Sequence, residues 1–313
     1  MKRNIYSYSK LWMIFFVLMG AACTNQVEDA IPVSDQPIEF SVLSDWKEIP
    51  NTRSNDGKTK FAKDDTIQIF GFHNSSSNGG QKDQKFMYRV GEPTRGQKVV
   101  FDGNNWNYSP KRFWPKEGTL DFYAGYPQYS VLNDEENHKM TYEQTVNPLQ
   151  LDLLWGVSTG HDCAKDRKND VSITMKHALA KVNISFDGSL GEIRKVIVSA
   201  YKAGYFQKTM ADRIGIPLWI VEDKSDKNIQ KAIFSPYKEQ TKIGDVTVFI
   251  LPDKITGLKL KFDDKEIDAS EEIKNLTFEA GMVYNLTISK STGVRKKNTN
   301  SRSIAMSVRC VSE

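Results

Sequence analysis

A chain of 313 residues with 39% hydrophobic and 26% charged residues has the makeup of a globular protein and the length for two domains, which excludes wholesale disorder. Its net charge of +4 sits at the ends: Lys2, Arg3 and Lys10 fall in the first 22 residues, and the tail from Lys290 to Glu313 carries +5. Removing those three charges and the tail's five leaves the body from Cys23 to Ser289 at −4, so the folded part offers no phosphate-binding field and no nucleic-acid partner is expected.

Residues 1–22 read as a signal peptide, with a basic start, an apolar run from Leu11 to Leu18 and the small residues Gly20, Ala21 and Ala22 before Cys23. The run is too short to span a bilayer comfortably. A first cysteine directly after small residues resembles a bacterial lipobox, in which the thiol is diacylated, and this makes Cys23 the expected lipidation site. An ordinary secretory signal is the alternative. Of the remaining cysteines, Cys163 and Cys310, unpaired thiols are expected and a disulfide between them is the other reading.

Residues 23–36 read as a polar tether between lipid and fold. From Pro37 to Ser44, Ile38, Phe40 and Val42 alternate with Glu39 and Ser41, which predicts a first strand with one buried face. The stretch from Ile49 to Gly57 is polar and turn-rich, and a trypsin-like protease would find Arg53 in such an exposed loop. Strands are predicted at Thr66–Phe72, Lys85–Val90 and Lys98–Phe101, with a flexible loop at His73–Gly80. The stretch from Trp106 to Tyr126 reads as two strands of a tight antiparallel pair, in which Leu120, Phe122, Ala124 and Tyr126 share a face. Aromatics this dense require a second sheet to cover them. Asn133–His138 reads as a polar loop, and Asp152–Gly156 returns to apolar character.

The hydrophobic phase changes at Lys176-His177: Val171, Ile173 and Met175 are apolar on odd positions, and Ala178, Ala180, Val182, Ile184 and Phe186 on even ones. A one-residue shift swaps the buried face, so the chain must bulge, bend or pass between sheets there. The second half repeats the strand pattern at Lys195–Ala200, Ile216–Val221, Val246–Leu251, Leu258–Phe262 and Met282–Ile288. Without a long 3.6-residue stripe anywhere, the fold class is all-β, with two successive β-sandwich domains at 37–176 and 177–290 and a basic, poorly ordered tail at 291–313 holding at most one short strand.

No catalytic or nucleotide-binding motif occurs, so no enzyme activity, cofactor or metal is expected. His161-Asp162-Cys163 superficially suggests an activated thiol, but adjacent residues of an extended segment point apart. Asp134, Glu135 and Glu136 lack the alternating oxygen-ligand spacing of a calcium loop.

Several segments in order resemble one family: Cys23, Thr52-Arg53, Asp65–Phe70, Trp106–Tyr108 with Phe113–Pro115, Phe122–Pro127, Asp152–Gly156, Met175–Val182 and Phe278–Thr287. Together they are similar to the fimbrillins of Bacteroidetes, including the Mfa-like and FimA-like type V pilus proteins. The resemblance implies an outer-membrane lipoprotein with two transthyretin-like β-sandwiches, acting as a structural or accessory subunit of an adhesive surface fimbrium. It also implies that Arg53 is a protease cleavage site. Ile38, Phe40 and Val42 would then belong to an exchanged strand, withdrawn so that a strand from another subunit can take its place. Partners would be other fimbrial subunits in a homo- or hetero-polymer, the outer membrane through the lipid, and a host or glycan ligand. The alternative is a monomeric surface lipoprotein that binds a carbohydrate or host ligand.

Overall fold

β-Branched and aromatic residues at a two-residue period build nearly everything in the computed structural model, which describes residues 31–44, 61–76, 80–128, 130–134, 139–143, 151–209, 215–236, 242–289, 293–298 and 306–307. Met1–Val33 and Ser34–Glu313 are separate units, and the strands below belong almost wholly to the second. In chain order the first half contributes β1 (Val33–Pro37), β2 (Phe40–Ser44), β3 (Thr66–Asn74), β4 (Gln84–Met87), β5 (Gln97–Phe101), β6 (Trp106–Asn107), β7 (Phe113–Pro115), β8 (Thr119–Tyr126), β9 (Val131–Asp134), β10 (Lys139–Glu143), β11 (Leu154–Asp162) and β12 (Val171–His177). The second half adds β13 (Ala180–Phe186), β14 (Lys195–Tyr201), β15 (Ala203–Gln207), β16 (Ile229–Phe234), β17 (Val246–Ile250), β18 (Ile255–Lys261), β19 (Glu266–Asp268), β20 (Val283–Ser289), β21 (Gly293–Asn298) and β22 (Met306–Ser307). The α-helix among the described residues, α1, is the single turn Ser270–Ile273. The fold is all-β.

An eight-stranded sheet in the order β2-β12-β11-β8-β3-β5-β6, with β4 also on β3, organises the first half. β8 lies at its centre, with Ala124 opposite Gly156 of β11 on one side and Ile69 of β3 on the other. Both faces of β8 are buried. Leu120, Phe122 and Ala124 lie with Ile67 and Ile69 on one face, where Gly71 is required because a Cβ there would sit 2.7 Å from Met87 Cβ and 3.2 Å from a Phe122 ring carbon. On the other face Phe70, Phe72, Tyr123 and Trp155 pack with Val131, Met140, Tyr142 and Phe206 of a three-stranded sheet, β15-β10-β9.

This arrangement corrects the tight antiparallel pair expected across Trp106–Tyr126. β6 pairs with β5, and β8 pairs with β3 and β11, because a strand apolar on both faces belongs between two neighbours and not in a surface hairpin. The expected loop at Asn133–His138 likewise starts inside β9, with Asn133 buried and residues 135–138 outside the described set.

At the phase change the chain passes from one sheet to another. β12 ends at His177 in the eight-stranded sheet and β13 begins at Ala180 in a five-stranded one, β17-β13-β20-β21-β22. That sheet faces a four-stranded one, β16-β14-β18-β19, across a core that includes Val182, Ile184, Val196, Val198, Val248, Leu258, Leu286 and Phe278. β15 leaves this half and pairs antiparallel with β10, Tyr205 opposite Thr141, so one strand from the second half completes a sheet of the first. Residues 216–221, expected as a strand, form no strand: Pro217 and Ile220 are bridge residues, Ile220 facing Tyr205. Pro217 interrupts them, and the Trp219 indole turns inward to donate to the Ala178 carbonyl at 2.6 Å. The tail contributes backbone to two strands, β21 on β20 and β22 on β21.

Candidate functional site

The N-terminal strand is the feature whose placement most needs explaining. β2 runs along the end of the eight-stranded sheet, parallel to β12, with Phe40 opposite Val171, Val42 opposite Ile173 and Ser44 opposite Met175. An edge strand with a single neighbour is held by one ladder of backbone bonds, so side chains must supply most of what keeps it in place. Ile38, Phe40 and Val42 are 0%, 5% and 6% exposed, whereas Leu43 on the opposite face is 58% exposed. The alternation visible in the sequence is therefore an inward anchor set and an outward face. Burial of each such side chain stabilises by about 1.5–3 kcal/mol.

Phe40 meets the Phe122 ring edge-on at 5.3 Å between centroids and the Tyr108 ring at 5.7 Å. Trp114, fully buried, continues the aromatic floor against Phe122 at 6.4 Å. Backbone groups complete the seat: Ile38 N–H donates to the Arg112 carbonyl at 2.9 Å, Tyr108 Oη donates to the Ile38 carbonyl at 2.7 Å, and Val171 N–H donates to the Glu39 carbonyl at 2.8 Å. At the rim, Lys111 Nζ lies 2.8 and 2.7 Å from the two Glu39 carboxylate oxygens and 4.7 Å above the Tyr108 ring. Burial pushes the Tyr108 phenol far above its ordinary range, so it stays a donor. The sequence marks Tyr108 only within the segment Trp106–Tyr108 and gives no sign of Lys111 or Arg112 at the seat; a phenol two residues before a Pro-Lys-Arg turn carries no local signal of a long-range contact.

Cys23 and Arg53, the expected lipidation and cleavage sites, lie outside the described residues, as do Cys310, Glu135 and Glu136. His161 and Cys163 are both placed, and nothing makes them a reactive pair. The His161 ring packs beside Trp114 and Phe122 at 6.2 and 5.8 Å, its Nε2 hydrogen bonds the Ser158 hydroxyl at 2.8 Å, and burial lowers its pKa. Cys163 is a buried free thiol, pushed by burial up to about 12, the reverse of what a nucleophile needs. Among the described residues no His, Cys, Asp and Glu side chains cluster as a metal site.

A fimbrillin-like family profile matches residues 52–305. Among solved structures, a candidate cell adhesion protein from Bacteroides ovatus is similar with a TM-score of 0.52 at 14% identity, over 90% of this chain and 99% of that one. A candidate cell adhesion protein from Bacteroides uniformis has a TM-score of 0.48 at 17% identity, over 85% of this chain and 97% of that one. The C-terminally truncated tip fimbrial protein Mfa3 from Porphyromonas gingivalis has a TM-score of 0.41 at 8% identity, over 75% of this chain and 94% of that one. No curated protein sequence matches the chain. The likeness at a TM-score of 0.52 supports the all-β fold, and the profile, covering most of the chain, supplies the family: the chain belongs to the fimbrillin-like family, whose role is fimbrial and not enzymatic.

Proposed function

We propose that the chain is a structural or accessory subunit of an adhesive fimbrium, anchored in the outer membrane through a lipid on Cys23 and assembled by exchange of its N-terminal strand. Cleavage after Arg53 leaves residues 37–44 held in the sheet only by noncovalent contacts. Departure of the strand exposes the β12 edge and the apolar floor of Phe122, Trp114 and Ile173, and a strand from another subunit restores both. Until cleavage, the covered edge prevents premature assembly. The observation that carries this reading is the burial of Phe40 and Val42 on β2, and of Ile38 just before it, where β2 has one sheet neighbour among the described residues.

Treatment of the purified, unlipidated chain with an arginine-specific protease tests it. The expected result is one early cut after Arg53, loss of the N-terminal fragment and appearance of oligomers in size-exclusion chromatography, suppressed by excess synthetic peptide of residues 37–44. A chain that is cut there and remains monomeric contradicts assembly by exchange and leaves a surface lipoprotein acting alone.

A further inference from the structure

We infer that Lys111 selects the strand that may occupy this seat, by requiring a carboxylate one position before the aromatic anchor. The inference rests on the exchange reading above and specifies its partner: a strand from a second copy or another subunit, running parallel to β12, apolar at the Ile38 position, acidic at the Glu39 position, aromatic at the Phe40 position and apolar at the Val42 position.

The seat reads some positions of the strand and not others. Side chains 38, 40 and 42 enter the apolar floor and are judged by shape. Leu43 points out with most of its side chain in solvent, so the seat makes little demand there. Position 39 differs from both: Glu39 is carried away from the floor, yet its two carboxylate oxygens meet Lys111 Nζ at 2.8 and 2.7 Å. Lys111 is fixed in turn by the Tyr108 ring beneath it, and Tyr108 is the residue whose hydroxyl holds the strand's Ile38 carbonyl. The ammonium is therefore placed by the same side chain that sets the strand's register. Among the described residues Lys111 pairs with no other carboxylate, so removal of the strand leaves the charge without its partner. The side chains of Lys111 and Glu39 are 36% and 42% exposed, which makes the attraction itself modest. Discrimination comes mainly from the penalty on a cation at position 39 beside a fixed ammonium.

The test uses the full chain nicked after Arg53 and fluorescent peptides of residues 37–44, read by anisotropy. The native peptide should bind the native chain about tenfold more tightly than a Glu39→Lys peptide. On a Lys111→Glu chain the order should invert, and on a Lys111→Met chain the two peptides should bind alike. Inversion is a readout that a general loss of stability does not produce. Equal binding of both peptides to the native chain, with the native peptide clearly bound, overturns the selection by Lys111 while leaving exchange intact. Failure of the native peptide to enter the nicked chain overturns the exchange reading itself and this inference with it.

Discussion

Phe40, Gly118 and Cys163 show how single residues fix the seat and its surroundings. The Phe40 ring fills the space between Tyr108 and Phe122, so Phe40→Ala should leave a void and cost about 3 kcal/mol, read as a lower urea midpoint with an unchanged slope. Gly118 has φ +81°, and a Cβ there would lie 2.3 Å from the Asn74 carbonyl oxygen and 2.6 Å from His73 Nε2. Gly118→Ala should therefore destabilise by about 2 kcal/mol or more, since neither the backbone conformation nor the space suits a side chain. For Cys163 the sign follows from the folded thiol holding its proton more tightly than the ordinary value of 9.0, up to about 12. Its contribution to stability is complete below about 9 and is lost as pH rises toward 12. Cys163→Ala should flatten the alkaline fall in thermal stability over that window, and the folded chain should resist thiol alkylation at pH 8.

Among the elements, β8, β12 and β13 were legible because each carries the alternation that its position demands. The change of phase at Lys176-His177 reports the passage from one sheet to the next, and Phe40 and Val42, continued by Ile38 just before the strand, report the buried face of β2. Pairings are not legible: local periodicity says which residues of β8 share a face, but not that both faces are covered, that β3 and β11 flank it or that β2 runs parallel to β12. β15 carries little signal because Ala203-Gly204-Tyr205-Phe206-Gln207 is short and its inward anchor, Phe206, is a single aromatic. The residue after it is equally silent in sequence. Lys208 is buried, with Nζ 2.6 Å from an Asp83 oxygen and 3.6 Å from the centre of the Phe72 ring, tying the end of β15 to the loop before β4. Lys208→Met should cost about 1–2 kcal/mol in urea unfolding, because the stem still fills the site and the Asp83 side chain, 34% exposed, regains water.

The whole molecule is an all-β chain of the fimbrillin-like family with β2 at the end of its eight-stranded sheet. The family resemblance could be read in the order of several weak motifs, and the profile over residues 52–305 bears it out. The seat could not be read, because its rim residues Tyr108, Lys111 and Arg112 lie about 70 positions from the strand they hold. The central claim is that β2 must leave for assembly to occur, and locking it in place tests this most directly. Ser41 and Ser172 are opposite one another in the parallel pair, so the double variant Ser41→Cys, Ser172→Cys can be bridged by mild oxidation. The expected result is that the oxidised chain, nicked after Arg53, stays monomeric in size-exclusion chromatography and forms oligomers once dithiothreitol opens the bridge. Equal assembly of the oxidised and reduced chains would contradict strand exchange at this edge.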